Sequence, residues 1–125
     1  MTPLHIESTK TTPEISLEPS KLSFVGKSYP ENTFEFYAKV KEWIDEYFSG
    51  SPTDPTEVHF EIIYFNSSSS KLFFDLFDVF ESNNENVQIN IAWCYDPENS
   101  SAMEAGEDFI EDFPDLNIKL KEKAV

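Results

Sequence analysis

Between Thr33 and Phe48 the apolar residues recur at helical spacing. At about 100° per residue, Phe36, Tyr37, Val40, Trp43, Ile44, Tyr47 and Phe48 share one arc, with Glu35, Lys39, Glu42 and Glu46 opposite. Asn32 or Thr33 can cap this segment, and Gly50 with Pro52 closes it, so the pattern predicts an amphipathic helix. Upstream the period is two. Leu4-His5-Ile6-Glu7 alternates briefly, Ile15 and Leu17 alternate with Ser16 and Glu18, and Leu22, Phe24 and Gly26 alternate with Ser23 and Val25. Pro19-Ser20 between the last two runs makes them an antiparallel strand pair. Downstream, residues 57–66 alternate at first and then run apolar from Ile62 to Phe65, as a central strand does. Leu72, Phe73, Leu76 and Phe80 restore helical spacing over residues 72–81, ended by Asn83-Asn84. Val87, Ile89, Ile91 and Trp93 then mark a strand within 86–95. Residues 100–113 place Ala102, Ala105, Gly106, Phe109 and Phe113 on one helical arc and Glu104, Glu107, Asp108 and Glu111 away from it. Leu116, Ile118 and Leu120 close the pattern as a last strand.

The predicted order is β-β-β-α-β-α-β-α-β over a single domain spanning 1–125. Alternating strands and helices from the fourth strand onward call for right-handed crossovers and parallel pairing, with an antiparallel addition at the N-terminus. The fold class is therefore α/β on a mixed sheet.

Composition adds what this fold can bind. The chain is 39% apolar with twelve Phe, enough to order it despite a net charge of -15. The charge sets 24 Asp and Glu against nine Lys, with no Arg. Without the guanidinium fork, and with so strong a negative field, neither nucleic acid nor an anionic membrane surface is a fitting partner. One cysteine, Cys94, cannot close an internal disulfide, which fits a reducing compartment. No apolar run approaches the roughly 20 residues of a membrane span, and the first residues lack a signal-peptide pattern. A cytoplasmic protein is expected.

Catalytic chemistry finds little support. His5 and His59 lie in predicted strands and read as packing residues. Cys94 reads as a buried thiol with no Cys or His partner near it in sequence. The carboxylates of the helices lie on solvent arcs, and three glycines are too few for a phosphate-binding loop. No enzyme activity, metal or cofactor is expected.

Asn66-Ser67-Ser68-Ser69-Ser70 joins an apolar strand to a helix. One or two serines suffice to cap a helix, a contribution of about 1 kcal/mol, and four exceed it. The functional alternative is phosphorylation, which brings about -1.5 to -2 charges to the positive end of a helix dipole. On the same helix, Phe74 falls off the core arc among Lys71, Asp78 and Glu81, with Phe77 at the edge. An exposed Phe one turn from the serines is a candidate partner contact. Ser28-Tyr29-Pro30-Glu31-Asn32 reads either as a turn that caps the first helix through Asn32 or as part of the same surface.

A strand ending in Asn, then hydroxyl residues, then a helix resembles the phosphorylation loop of STAS-type anti-sigma factor antagonists. The match is closer to the SiaC family of regulatory phosphoproteins. It is carried by Thr11-Thr12-Pro13-Glu14-Ile15, Ser28-Tyr29-Pro30-Glu31-Asn32, Tyr64-Phe65-Asn66-Ser67-Ser68 with Lys71, Trp93-Cys94-Tyr95-Asp96, and Glu111-Asp112-Phe113. The resemblance implies a STAS-like domain and a partner switch without catalysis. In the family a threonine after the Asn is phosphorylated by a kinase and restored by a phosphatase. The unmodified form activates a diguanylate cyclase, raising cyclic di-GMP and promoting biofilm. Here that position is Ser67, a departure from Thr; aligned to the antagonist loops, the acceptor is Ser68. Tyr29, Pro30, Glu31, Asn32, Asn66, Ser69, Lys71 and Phe74 are then the expected partner surface. The alternatives are a small-molecule-binding domain or carboxylate enzyme whose serines line a cleft, and a structural assembly module.

Overall fold

A computed structural model describes residues 1–123. The elements follow the expected order: β1 (Leu4–Ile6), β2 (Glu14–Glu18), β3 (Lys21–Ser28), α1 (Thr33–Ser49), β4 (Thr56–Phe65), α2 (Ser67–Asn83), β5 (Ile89–Tyr95), α3 (Ser100–Asp112) and β6 (Asn117–Glu122). The six strands form one sheet in the order β1-β2-β3-β4-β5-β6. β1, β2 and β3 pair antiparallel, and β3 through β6 pair parallel. Pro19-Ser20 is the β2–β3 turn, with Ser20 at φ 71°. A mixed α/β sheet is thus what the two periods in the sequence produce.

Because spatial order equals chain order, each right-handed crossover returns on the same side. The three helices consequently cover one face of the sheet. Register places Phe24, Phe60 and Trp93 in one row across β3, β4 and β5 on that face. Phe24 stacks on Phe60 at 4.6 Å, Phe60 meets Phe73 and Phe77 of α2, and Trp93 meets Phe109 of α3. The Trp93 indole N–H donates to Ala102 O at 2.8 Å, tying β5 to α3. Gly106 lets α3 lie this close: a Cβ there would fall 2.6 Å from Trp93 Cδ1. Dense aromatic burial of this kind contributes about 1.5–3 kcal/mol per side chain, and it makes a chain with so many carboxylates foldable.

Among the described residues no helix covers the other face of the sheet. Ser16, Ser23, His59, Ala92 and Lys119 form its central row. The apolar run Ile62–Phe65 divides where the β3–β4 register slips between Gly26 and Lys27. Ile62 is buried and Phe65 packs on Phe73 and Trp93, while Ile63 and Tyr64 are exposed.

Two sequence expectations are corrected on α2. The serines are not a loop before the helix but its first turn, since α2 begins at Ser67. Serine is a poor residue for a helix interior, yet in the first turn the backbone N–H groups have no helical carbonyl, and the usual penalty disappears. Phe74 does not project into solvent. It is half-buried against Phe109 and Phe113, at centroid distances of 4.9 and 6.0 Å, and Phe77 is fully buried. The arc of α2 that one helix leaves open is closed by α3.

Candidate functional site: the first turn of the second helix

β4 delivers the chain to Asn66, whose extended backbone and side chain cap α2: Asn66 Oδ1 accepts from Ser69 N at 2.9 Å. Asn66 N donates to Ser28 O at 3.1 Å, fixing the cap to the end of β3. The four serines then separate by helical geometry. Ser69 turns inward and is fully buried; its Oγ lies 2.7 Å from Ser28 Oγ, which lies 2.7 Å from Tyr37 OH. Three buried hydroxyls from β3, α1 and α2 thereby hold one another. Burial pushes the Tyr37 phenol far above its ordinary range, against the smaller opposing effect of the Ser28 hydrogen bond. Ser70 is half-buried, whereas Ser67 and Ser68 are exposed. Ser69, placed by the sequence among partner contacts, is corrected: a fully buried side chain cannot touch a partner.

Around the exposed serines, Asn32 caps α1 as Asn66 caps α2. Asn32 Oδ1 accepts from Glu35 N at 3.0 Å, and Asn32 Nδ2 donates to Glu35 Oε2 at 3.2 Å. The capping reading of Asn32 therefore holds. Tyr29 N donates to Thr11 O at 2.7 Å, and the Tyr29 ring meets Tyr64 edge-on at 5.5 Å. Tyr29 and Pro30 are half-buried, and Glu31 is exposed. Between the beginnings of α1 and α2 runs a groove of about 510 Å³ whose lining includes Glu31, Asn32, Phe34, Ser68, Lys71 and Asp75. Phe34 is 79% exposed, the most exposed large apolar side chain among the described residues. Periodicity does not single it out, because Phe34 falls outside the apolar arc of α1 and a lone off-arc Phe needs no special explanation. Phe34, not Phe74, is the solvent-facing aromatic that shares the groove with Ser68.

A second cluster joins residues distant in sequence. Cys94 lies on the uncovered face because β5 alternates, and it is half-buried instead of sealed in an apolar strand. Its Sγ is 3.7 Å from His59 Nδ1, and His59 Nε2 is 3.5 Å from Glu61 Oε1, which lies beside Lys123 Nζ at 3.1 Å from Oε2. A Cys–His–carboxylate line suggests a nucleophile, but burial and then Glu61 push the thiol upward, against the smaller lowering by Lys121 and Lys123. A thiol held protonated is a weak nucleophile. His5, exposed on β1, pairs with Glu14 at 3.1 Å. Among the described residues no group of three His, Cys, Asp or Glu could hold a metal ion, and no helix is long and apolar enough to cross a membrane.

The fold is thus a two-layer α/β domain with exposed hydroxyls and an exposed aromatic at its helix starts. The chain belongs to the SiaC family of regulatory phosphoproteins, whose model matches residues 6–123. It is 33% identical over 115 residues to an uncharacterised protein of Pseudomonas aeruginosa strain UCBPP-PA14, with 90% of each chain covered. Apo-SiaC of Pseudomonas aeruginosa superposes with a TM-score of 0.88 at 30% identity, over 97% of this chain and 99% of that one. The same score and identity hold for SiaC as the activator in complex with the diguanylate cyclase SiaD, over 96% and 99%. Membership makes the chain a regulatory protein.

Proposed function

We propose that this protein is the phosphorylation-controlled component of a partner switch, in which unmodified Ser67 permits docking onto a regulated protein and phosphoserine prevents it. The observation that carries this reading is the division of the serine run. Ser69 is spent on the buried hydroxyl chain, while Ser67 and Ser68 stand exposed on a turn already held by Asn66. A kinase would transfer the γ-phosphoryl group of ATP to Ser67 Oγ: the O–P bond forms, the bond to ADP breaks, and the hydroxyl proton leaves to the kinase's base. A phosphatase would hydrolyse the ester. The folded domain tolerates the dianion because the start of a helix favours negative charge. A partner closing over the turn does not, because it must desolvate that charge against a surface at -15. Tyr29, Glu31, Phe34 and Lys71 surround the turn and form the docking surface, with Ser68 the second acceptor. Since SiaC of Pseudomonas aeruginosa is the activator in a complex with the diguanylate cyclase SiaD, the partner assigned here is a diguanylate cyclase, with cyclic di-GMP as the output. Phosphopeptide mapping of protein isolated from its own cells tests the reading. Phosphate on Ser67, or on Ser68, is expected; unmodified serines at both positions under every condition that releases the partner would overturn it.

A further inference from the structure

α1 begins with its own negative charge, Glu35, folded back on the cap. The first turn of α2 has none, in a chain of 24 acidic residues, because the equivalent position is the buried Ser69. The one basic residue of α2 is Lys71, exposed and lining the same groove as Ser68. Among the described residues ion pairs involve His5, His59 and Lys123, and none involves Lys71. Lys71 stands four residues after Ser67 and three after Ser68. Both spacings bring side chains together on a helix, with the favourable polarity of the anion on the N-terminal side. Ser69 is sealed and Ser70 is adjacent in sequence, so the two exposed serines are also the two that Lys71 can serve.

We propose that Lys71 is the internal receiver of the phosphate, pairing with phosphoserine at position 67 or 68 across one turn of α2. The inference rests on the proposed phosphorylation of this turn and adds a second consequence to it. The modification places a dianion beside the aromatic surface, and it also withdraws from the groove the cation that α2 offers there. Two carboxylates oppose the pair from the groove, Glu31 from the segment before α1 and Asp75 from α2 itself; they act equally on every variant below. Phosphate on a more distant exposed residue would lack this receiver.

The test installs phosphoserine at position 67 of the full chain during synthesis, without a kinase, in wild-type, Lys71→Gln and Lys71→Arg backgrounds. Phosphorus NMR then follows the second ionisation of the phosphate with pH. In the wild-type background it should lie about half a pH unit below its position in Lys71→Gln, with Lys71→Arg restoring most of the difference. Equal values in the wild-type and Gln backgrounds would overturn the assignment of Lys71. That result would leave the switch itself standing, whereas a failure to find phosphate on Ser67 or Ser68 in cells would remove the reading underneath.

Discussion

Four consecutive serines of the same chemistry should respond to substitution in different ways, and Ser69→Ala is the sharpest case. The change deletes a fully buried hydroxyl 2.7 Å from Ser28 Oγ. Ser28 keeps Tyr37 OH at 2.7 Å, so one of its two hydroxyl contacts survives and the other loses its partner in a buried site. Leaving a buried polar group short of a hydrogen bond costs about 1–3 kcal/mol. Each kcal/mol lowers the melting temperature of a domain this size by about 4 °C, giving a fall of about 4–12 °C. Ser67→Ala removes an exposed hydroxyl with no hydrogen-bond partner among the described residues and should lie within about 0.5 kcal/mol of wild type. Thermal melts followed by circular dichroism, with urea midpoints as a check on two-state behaviour, measure both. If Ser69→Ala proved as stable as Ser67→Ala, the buried hydroxyl chain would not hold the first turn of α2, and the division of labour among the serines would fail.

Three further outcomes follow from the same structure. Gly106→Ala should destabilise by about 1–2 kcal/mol despite a gain of about 1 kcal/mol in helix propensity, because the new methyl meets the buried Trp93 ring; a more stable variant by urea denaturation would contradict the close packing of α3. Burial raises the folded-state pKa of Tyr37, so the stability tied to its neutral form is complete below about pH 10 and is lost as pH rises through the alkaline range. Urea midpoints between pH 8 and 11 should therefore fall less steeply in Tyr37→Phe than in wild type, and parallel curves would count against it. Asn66→Ala should cost about 1 kcal/mol, the usual worth of an N-cap, read as faster amide exchange at Ser69.

The elements and their order were legible because burial on one face writes a period into the chain. Strands covered on one side alternate, as Ile15, Leu17, Leu22 and Phe24 do, and α1 keeps its apolar residues on one arc. The start of α2 was hidden for the converse reason. A first turn is held by a cap and by backbone groups, and Ser67 to Ser70 carry no apolar period at all. Phe74 misled because a periodicity argument sees one interface per helix, while α2 is packed by the sheet and by α3 together. Cys94 and His59 are 35 residues apart, and only the β4–β5 register, which sets His59 beside Ala92, makes them neighbours. The candidate turn itself was found from its place between strand and helix. Its inner half, the Ser28–Tyr37–Ser69 contact, depends on three elements meeting and has no local signature.

What gates docking, on the view developed here, is the charge on a single exposed hydroxyl at the start of α2. The most direct measurement is calorimetric titration of the native partner against the wild-type, Ser67→Ala and Ser67→Asp proteins at matched ionic strength. Ser67→Ala should bind like wild type and Ser67→Asp roughly a hundredfold more weakly, a loss of a few kcal/mol on the scale of buried interfacial charges, while their melting temperatures stay within a few degrees. Wild-type affinity in the Ser67→Asp protein, with its fold intact, would contradict the proposed gate.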